Sequence, residues 1–224
     1  MKTLVIQIPC YNEAGVLAAT IAELPKIIAG VDRIQTLVID DGSTDETAAV
    51  ARSAGVKHVI HLPRHVGLAR AFEAGLTEAV AMGADIIVTM DGDGQHRGSD
   101  IARLIEPIQT QRADMVIGVR TVQTLLHRLG SVVVGIVSGL AIRDPVSGFR
   151  AFSRSAALRL RVYSSYTYTL ETVIQAGRQG MRVATVPITS SGANRPSRLV
   201  TNVPVYVCKQ AWIILCTWIR YRSV

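Results

Sequence analysis

The residues with the clearest chemical potential are Asp91-Gly92-Asp93-Gly94-Gln95-His96, which follow the apolar run Asp85–Met90. Two carboxylates one glycine apart aim at one small volume and repel each other unless a cation sits between them. A hard divalent ion, Mg²⁺ or Mn²⁺, meets that need through oxygen ligands and commonly keeps waters and substrate phosphates in its shell. Gln95 adds a neutral oxygen to the set. The same peptide is also good turn chemistry with no ligand at all. Two more polar clusters follow apolar runs: Pro9-Cys10-Tyr11-Asn12-Glu13 and Asp40-Asp41-Gly42-Ser43-Thr44-Asp45. In the second, Ser43 or Thr44 is expected to cap a helix whose first turn carries Asp45 and Glu46. That leaves Asp40 and Asp41 to accept hydrogen bonds from a base N–H or ribose hydroxyls. No Gly-x-x-x-x-Gly-Lys-Ser/Thr occurs, and no Gly-x-Gly-x-x-Gly follows the first apolar run. Nucleotide recognition would therefore rest on carboxylates and metal, which speaks against a P-loop NTPase or a dinucleotide dehydrogenase.

These clusters need elements to hold them. Strand-like runs lie at Leu4–Pro9, Ile34–Ile39, Val56–His61, Asp85–Met90 and Met115–Val119. Helical spacing covers Ala14–Ala29, Ser43–Ser53, Gly67–Met82 and Asp100–Thr110. Near-continuous Val, Ile and Leu strands alternating with helices predict an α/β domain with a mostly parallel sheet covered on both faces. In such sheets ligands bind beyond the carboxyl ends of the strands, where the three polar clusters fall. One domain is expected over 1–187, with an appendage over 188–224.

Bulk properties narrow the partners. The chain has 224 residues, of which 18% are charged and 5% aromatic. That composition suits a globular domain and lacks the aromatic surface of a base-stacking nucleic-acid binder. Lys and Arg number 24 against 17 Asp and Glu, a formal charge of +7, so an anionic partner is expected. Cys10, Cys208 and Cys216 have no metal-ligand spacing and read as reduced thiols of a cytoplasmic protein. The stretches 129–142 and 211–219 are apolar but too short to span a bilayer, which takes about 20 residues. Trp212, Trp218, Tyr221 and flanking cations suit a helix lying at the cytoplasmic face of a membrane, or one that packs on the domain.

Taken together and in order, Pro9-x-Tyr11-Asn12-Glu13, Asp40-Asp41-Gly42-Ser43-x-Asp45, Asp91-x-Asp93-Gly94-Gln95-His96, Gly118-Val119-Arg120, Asp144-Pro145-Val146-Ser147-Gly148-Phe149-Arg150 and Arg195-Pro196-Ser197-Arg198-Leu199 resemble glycosyltransferase family two. The resemblance is to the branch of dolichol-phosphate mannose synthases and related polyprenyl-phosphate glycosyltransferases. It implies a GT-A fold and metal-dependent, inverting transfer of a sugar from GDP-mannose or a UDP-sugar to a polyprenyl phosphate. By position, Pro9, Tyr11, Glu13, Asp40 and Asp41 would hold the nucleoside. Asp91, Asp93 and Gln95 would hold the metal and the diphosphate. Arg120, with Arg195 and Arg198, would face phosphates, and Arg128 and Ser131 would lie where an acceptor phosphate approaches. Residues 188–224 become an acceptor-side loop and a C-terminal helix.

A hydroxyl acceptor needs a general base, whereas a phosphate is already an anion. Relatives acting on hydroxyls carry an acidic pair where this chain has Tyr166-Thr167-Tyr168-Thr169-Leu170-Glu171, and here only Glu171 is acidic. That favours a lipid phosphate, with Asp93, Arg120 and Glu171 as the catalytic candidates. A family-two enzyme acting on a hydroxyl of a small molecule or glycan is the alternative. His65 and Leu68 depart from the pattern at positions that contact the donor sugar.

Overall fold

A computed structural model describes residues 1–120, 125–189 and 202–221, with the side chains of 125–129 left undescribed. Seven strands form one sheet in the order β3-β2-β1-β4-β6-β5-β7. They are β1 (Thr3–Cys10), β2 (Arg33–Asp40), β3 (His58–His61), β4 (Ile86–Thr89), β5 (Met115–Arg120), β6 (Arg150–Ser153) and β7 (Val183–Ile188). Side-chain alternation divides β1 between two cores. Leu4, Ile6 and Ile8 face one layer, with Val38, Val88, Val116 and Leu104. Val5 faces the other, with Leu37, Ile87, Ile117 and Phe72. Both faces are thus dry, as a parallel sheet requires.

The helices are α1 (Ala14–Ala22), α2 (Thr47–Ser53), α3 (Leu68–Ala81), α4 (Ile101–Gln109), α5 (Leu125–Ser138), α6 (Arg154–Arg159), α7 (Thr169–Arg178) and α8 (Val203–Arg220). Two of them differ from the expected spans. The first ends at Ala22 rather than Ala29, because Pro25 lacks an N–H and disfavours helix in the residue before it. The second begins at Thr47 rather than near Ser43, because residues 43–45 are tied elsewhere. The Ser43 N–H donates to Asp40 Oδ1 (3.0 Å), and the Ser43 hydroxyl accepts from Asn12 N (2.9 Å). Asp45 Oδ2 accepts from Ala14 N (3.1 Å). The cluster staples the ends of β1 and β2, and only Asp45 serves the helix, its Oδ1 accepting from Thr47 N (3.0 Å).

The expected series of strands stops at β5, but the sheet does not. Strand β6 lies antiparallel between β4 and β5, pairing Thr89 with Arg150 on one side and Ile117 with Arg150 on the other. Strand β7 runs parallel to β5 at the edge, and its last residue lies one past the boundary expected at 187. The reversal of β6 matters for the site. Its amino end sits where the flanking strands β4 and β5 have their carboxyl ends, so the peptide 144–149 arrives on the ligand-binding rim.

Candidate active site

A cleft of about 680 Å³ opens at that rim. Its walls include Pro9, Tyr11 and Glu13 from the end of β1, Asp41 from β2, and Asp91, Asp93, Gln95 and His96 after β4. Arg120 closes β5, and Ser147 and Gly148 precede β6. Sequence elements far apart in the chain are therefore brought together, as the polar strand ends required. Asp40, by contrast, is buried behind the rim, with Oδ2 bonded to His61 Nδ1 at 2.8 Å. It lies outside the cleft lining and holds β2 to β3.

Each rim residue is positioned by a local device. Asn12 adopts a left-handed backbone (φ 54°) and accepts from Thr44 N through Oδ1 (2.8 Å), which fixes the turn presenting Tyr11 and Glu13. Asp41 accepts from the N–H groups of Val66 and Gly67 (2.8 and 2.9 Å) and pairs with His65 Nδ1 (2.9 Å). The carboxylate so holds the 65–67 loop and places the His65 ring against Tyr11, with centroids 3.9 Å apart. About one lone-pair site remains on Asp41 for a further donor, since a carboxylate offers about four.

Asp91 and Asp93 owe their spacing to Gly92, where a Cβ would stand 2.6 Å from the buried Cys10 Sγ. Gly92→Ala is expected to destabilise the fold by about 1–3 kcal/mol through overpacking. Cys10→Ala in the same chain should return part of that loss, and denaturant titration of the double-variant cycle checks it. Purely additive losses would show that Cys10 is not the obstacle.

Burial alone would raise the pKa of Asp91. The hydrogen bond from His96 and the charges of Arg120 and Arg150 outweigh burial and hold the carboxyl below its ordinary range. Asp93 accepts from Gln95 through both its backbone N–H (3.1 Å) and its Nε2 (2.8 Å). Asp91, Asp93 and Gln95 thus offer hard oxygen donors on one wall. Among the described residues, no group of three or more His, Cys, Asp or Glu is placed to hold an ion by itself. A partial oxygen set of this kind fits Mg²⁺ or Mn²⁺, which complete their shells with water and phosphate. Among the buried polar atoms on the cleft wall, His96 Nδ1 and Ser147 Oγ have no partner among the described residues. Buried polar atoms of native folds are normally satisfied, so both suit a bound group or water.

The peptide 144–150 supplies residues that the sequence reading quoted but gave no separate role. Asp144, fully buried, takes Arg120 in a two-pronged pair (2.8 and 2.9 Å). The Arg150 side chain is fully buried too and donates to the carbonyls of Ser147, Thr169 and Pro145 and to Thr172 Oγ1, at 2.6–2.7 Å. Burial pushes its pKa down to about 10. Gly148 admits Asp91, whose Oδ2 would lie 3.1 Å from a Cβ there. Only the recurrence of charged residues around a Pro and a Gly hints at this clip in the sequence.

Glu171 does not reach the cleft lining. It is 2% exposed, and its two oxygens accept from Tyr163 N and Ser164 N at 3.0 Å each. Burial raises its pKa even against those bonds. Its place is that of a carboxylate orienting the 163–164 loop, which departs from its expected position as a base. Ser131 donates to the carbonyl of Arg143 (2.8 Å) and lines a second cavity of about 760 Å³. Arg120 borders both spaces. The second is otherwise walled by Arg143 and by apolar or small residues such as Val132, Leu140, Ile142 and Pro187. Arg128 lies in α5 with its side chain undescribed, and Arg195 and Arg198 lie outside the described residues.

Residues 5–125 match the family described as Glycosyl transferase family 2, more than half of the chain. The chain belongs to that family. It is a glycosyltransferase with the GT-A fold. It is 32% identical over 208 residues to the undecaprenyl-phosphate mannosyltransferase of Micrococcus luteus, covering 84% of this chain and 83% of that one. It is 29% identical over 212 residues to the polyprenol monophosphomannose synthase of Mycolicibacterium smegmatis, covering 84% and 77%. Among solved structures, glucosyl-3-phosphoglycerate synthase of Mycobacterium tuberculosis, in complex with Mn²⁺, UDP-glucose and phosphoglyceric acid, superposes with a TM-score of 0.78. That likeness covers 97% of this chain and 80% of the other at 20% identity, and it concerns the fold.

Proposed function

We propose that this glycosyltransferase moves a sugar from a nucleoside diphosphate-sugar, GDP-mannose or a UDP-sugar, to a polyprenyl phosphate, with inversion at the anomeric carbon. The observation that carries the acceptor is the second cavity. It shares Arg120 with the donor cleft, holds Arg143, has apolar walls and contains no carboxylate among its lining residues. A phosphate head with a prenyl tail matches that mixture of cations and hydrocarbon. The names of the Micrococcus and Mycolicibacterium relatives support the same substrate class.

Donor recognition is assigned to Pro9, Tyr11, Glu13 and Asp41, with the diphosphate at Asp91, Asp93 and Gln95. Divalent metal bound there would neutralise the diphosphate and support its growing charge as it leaves. Arg120, fixed by Asp144, stands between the two spaces with cationic charge for either phosphate. An acceptor phosphate oxygen bonds to the anomeric carbon while the bond to the β-phosphate oxygen breaks, and nucleoside diphosphate departs. No proton has to be removed, consistent with the absence of Glu171 from the cleft lining. The fold neighbour's Mn²⁺ and UDP-glucose support a divalent ion and a nucleoside diphosphate-sugar as ligands.

A matrix of transfer reactions tests it: GDP- and UDP-sugars, a short polyprenyl phosphate, and Mn²⁺, Mg²⁺ or EDTA. Glycosyl phospholipid should form only with metal. Donor hydrolysis without lipid product would remove the acceptor assignment and send the search to hydroxylated acceptors.

A further inference from the structure

We infer that the exposed apolar face made by α5 and α8 is the surface on which this protein lies against an anionic lipid bilayer. Along α8, Val205, Trp212, Leu215 and Ile219 are 49%, 66%, 46% and 60% exposed, at the three- and four-residue steps that put side chains on one helix face. Along α5, Val132, Val133 and Ile136 are exposed as well, Ile136 at 76%. The two helices pack side by side, both against α7. Exposed apolar residues grouped on two packed helices, unlike scattered single residues, suit an interaction site. No helix among the described residues is long and apolar enough to cross a membrane, so the contact is with the surface.

Charge selects the occupant. Neither helix contains an Asp or Glu, while Lys209 and Arg220 are exposed on α8 and Arg143 is exposed beyond the end of α5. Lys209 Nζ lies 4.5 Å from the Tyr166 ring centroid and the Arg220 guanidinium 3.6 Å from that of Tyr163, so the cations are held beside the helix they border. A second copy of the chain would bring like charges together with no acid on either helix to offset them. Anionic headgroups complement the cations while Trp212 and its neighbours enter the acyl boundary, as interfacial helices do. Val132 is both on this face and in the wall of the acceptor-side cavity. A prenyl tail held there would pass directly into the membrane, which deepens the acceptor assignment above and rests on it for that point alone.

The test is flotation of the full chain with phosphatidylcholine vesicles, with and without phosphatidylglycerol and free of any acceptor lipid. Binding is expected with the anionic vesicles, falling as salt rises. Trp212→Ser and Ile136→Ser should each lower partitioning by about tenfold, while Leu158→Ser, exposed on α6, leaves it unchanged. Transfer to a short, water-soluble polyprenyl phosphate should survive in both variants, which shows that they fold. Equal indifference to both vesicle types, variants that float like the parent, or variants that instead split a dimer would overturn the docking face. Vesicle binding with no transfer to the soluble acceptor would strike the acceptor assignment and leave the docking face standing.

Discussion

Asp93→Ala is expected to cut transfer by at least about 10²–10³-fold, the scale seen when a principal electrostatic stabiliser of a leaving group is lost. Its melting temperature should stay close to that of the parent chain. Both halves follow from position. Asp93 is half-buried on the cleft wall beyond the end of β4, outside both hydrophobic cores, so its removal opens no cavity. The same carboxylate belongs to the proposed oxygen set for the metal. Mn²⁺ binding in the presence of nucleoside diphosphate, followed by calorimetry, should weaken in parallel. Full activity with unchanged Mn²⁺ affinity would remove Asp93 from the metal and shift the assignment to Asp91 alone.

Arg150→Met should have the largest effect on stability, about 3–5 kcal/mol, with loss of activity even where the fold persists. The guanidinium donates to three carbonyls and a hydroxyl on two segments, 145–147 and 169–172. Without it the buried carbonyls of Pro145 and Ser147 lose this donor, each at a cost of about 1–3 kcal/mol before relaxation, while Thr169 O keeps the bond from Thr172 Oγ1. The segment so released carries Asp144, Ser147 and Gly148, which meet Arg120, the cleft and Asp91. Lysine should not rescue, because one ammonium cannot span the planar fork that Arg150 uses. Denaturant unfolding and single-turnover transfer separate the two losses. A variant as stable as the parent would show that the carbonyls find other donors.

Much of this architecture was readable because it is written in long patterns. The apolar runs that became β1, β2, β4 and β5 have near-continuous Val, Ile and Leu, and each polar cluster after them reached one rim. Strand β6 escaped because Arg150-Ala151-Phe152-Ser153 is too short to show a period, and its direction is set by the strands on either side. Side-chain partners escaped for a related reason. Nothing local distinguishes Asp41, which lines the cleft, from Asp40, which turns inward to His61, except the alternation of β2 and the strand beside it. Glu171 sits on a buried helix face, and only the fold shows that the loop N–H groups of Tyr163 and Ser164 meet it there.

The antiparallel strand has one more consequence. The chain leaves the sheet at Arg120 and returns at Arg150 on the neighbouring strand, and Gly118 N bonds to Phe149 O at 2.9 Å across the gap. Exit and re-entry are thus clamped together by the sheet itself. The stretch 125–143, ahead of the clip at 144–150, then acts as a cassette whose length can change at small entropic cost without altering any strand register. Acceptor preference can then diversify by replacing that cassette, while the carboxylates on the ends of β1, β2 and β4 stay where they are.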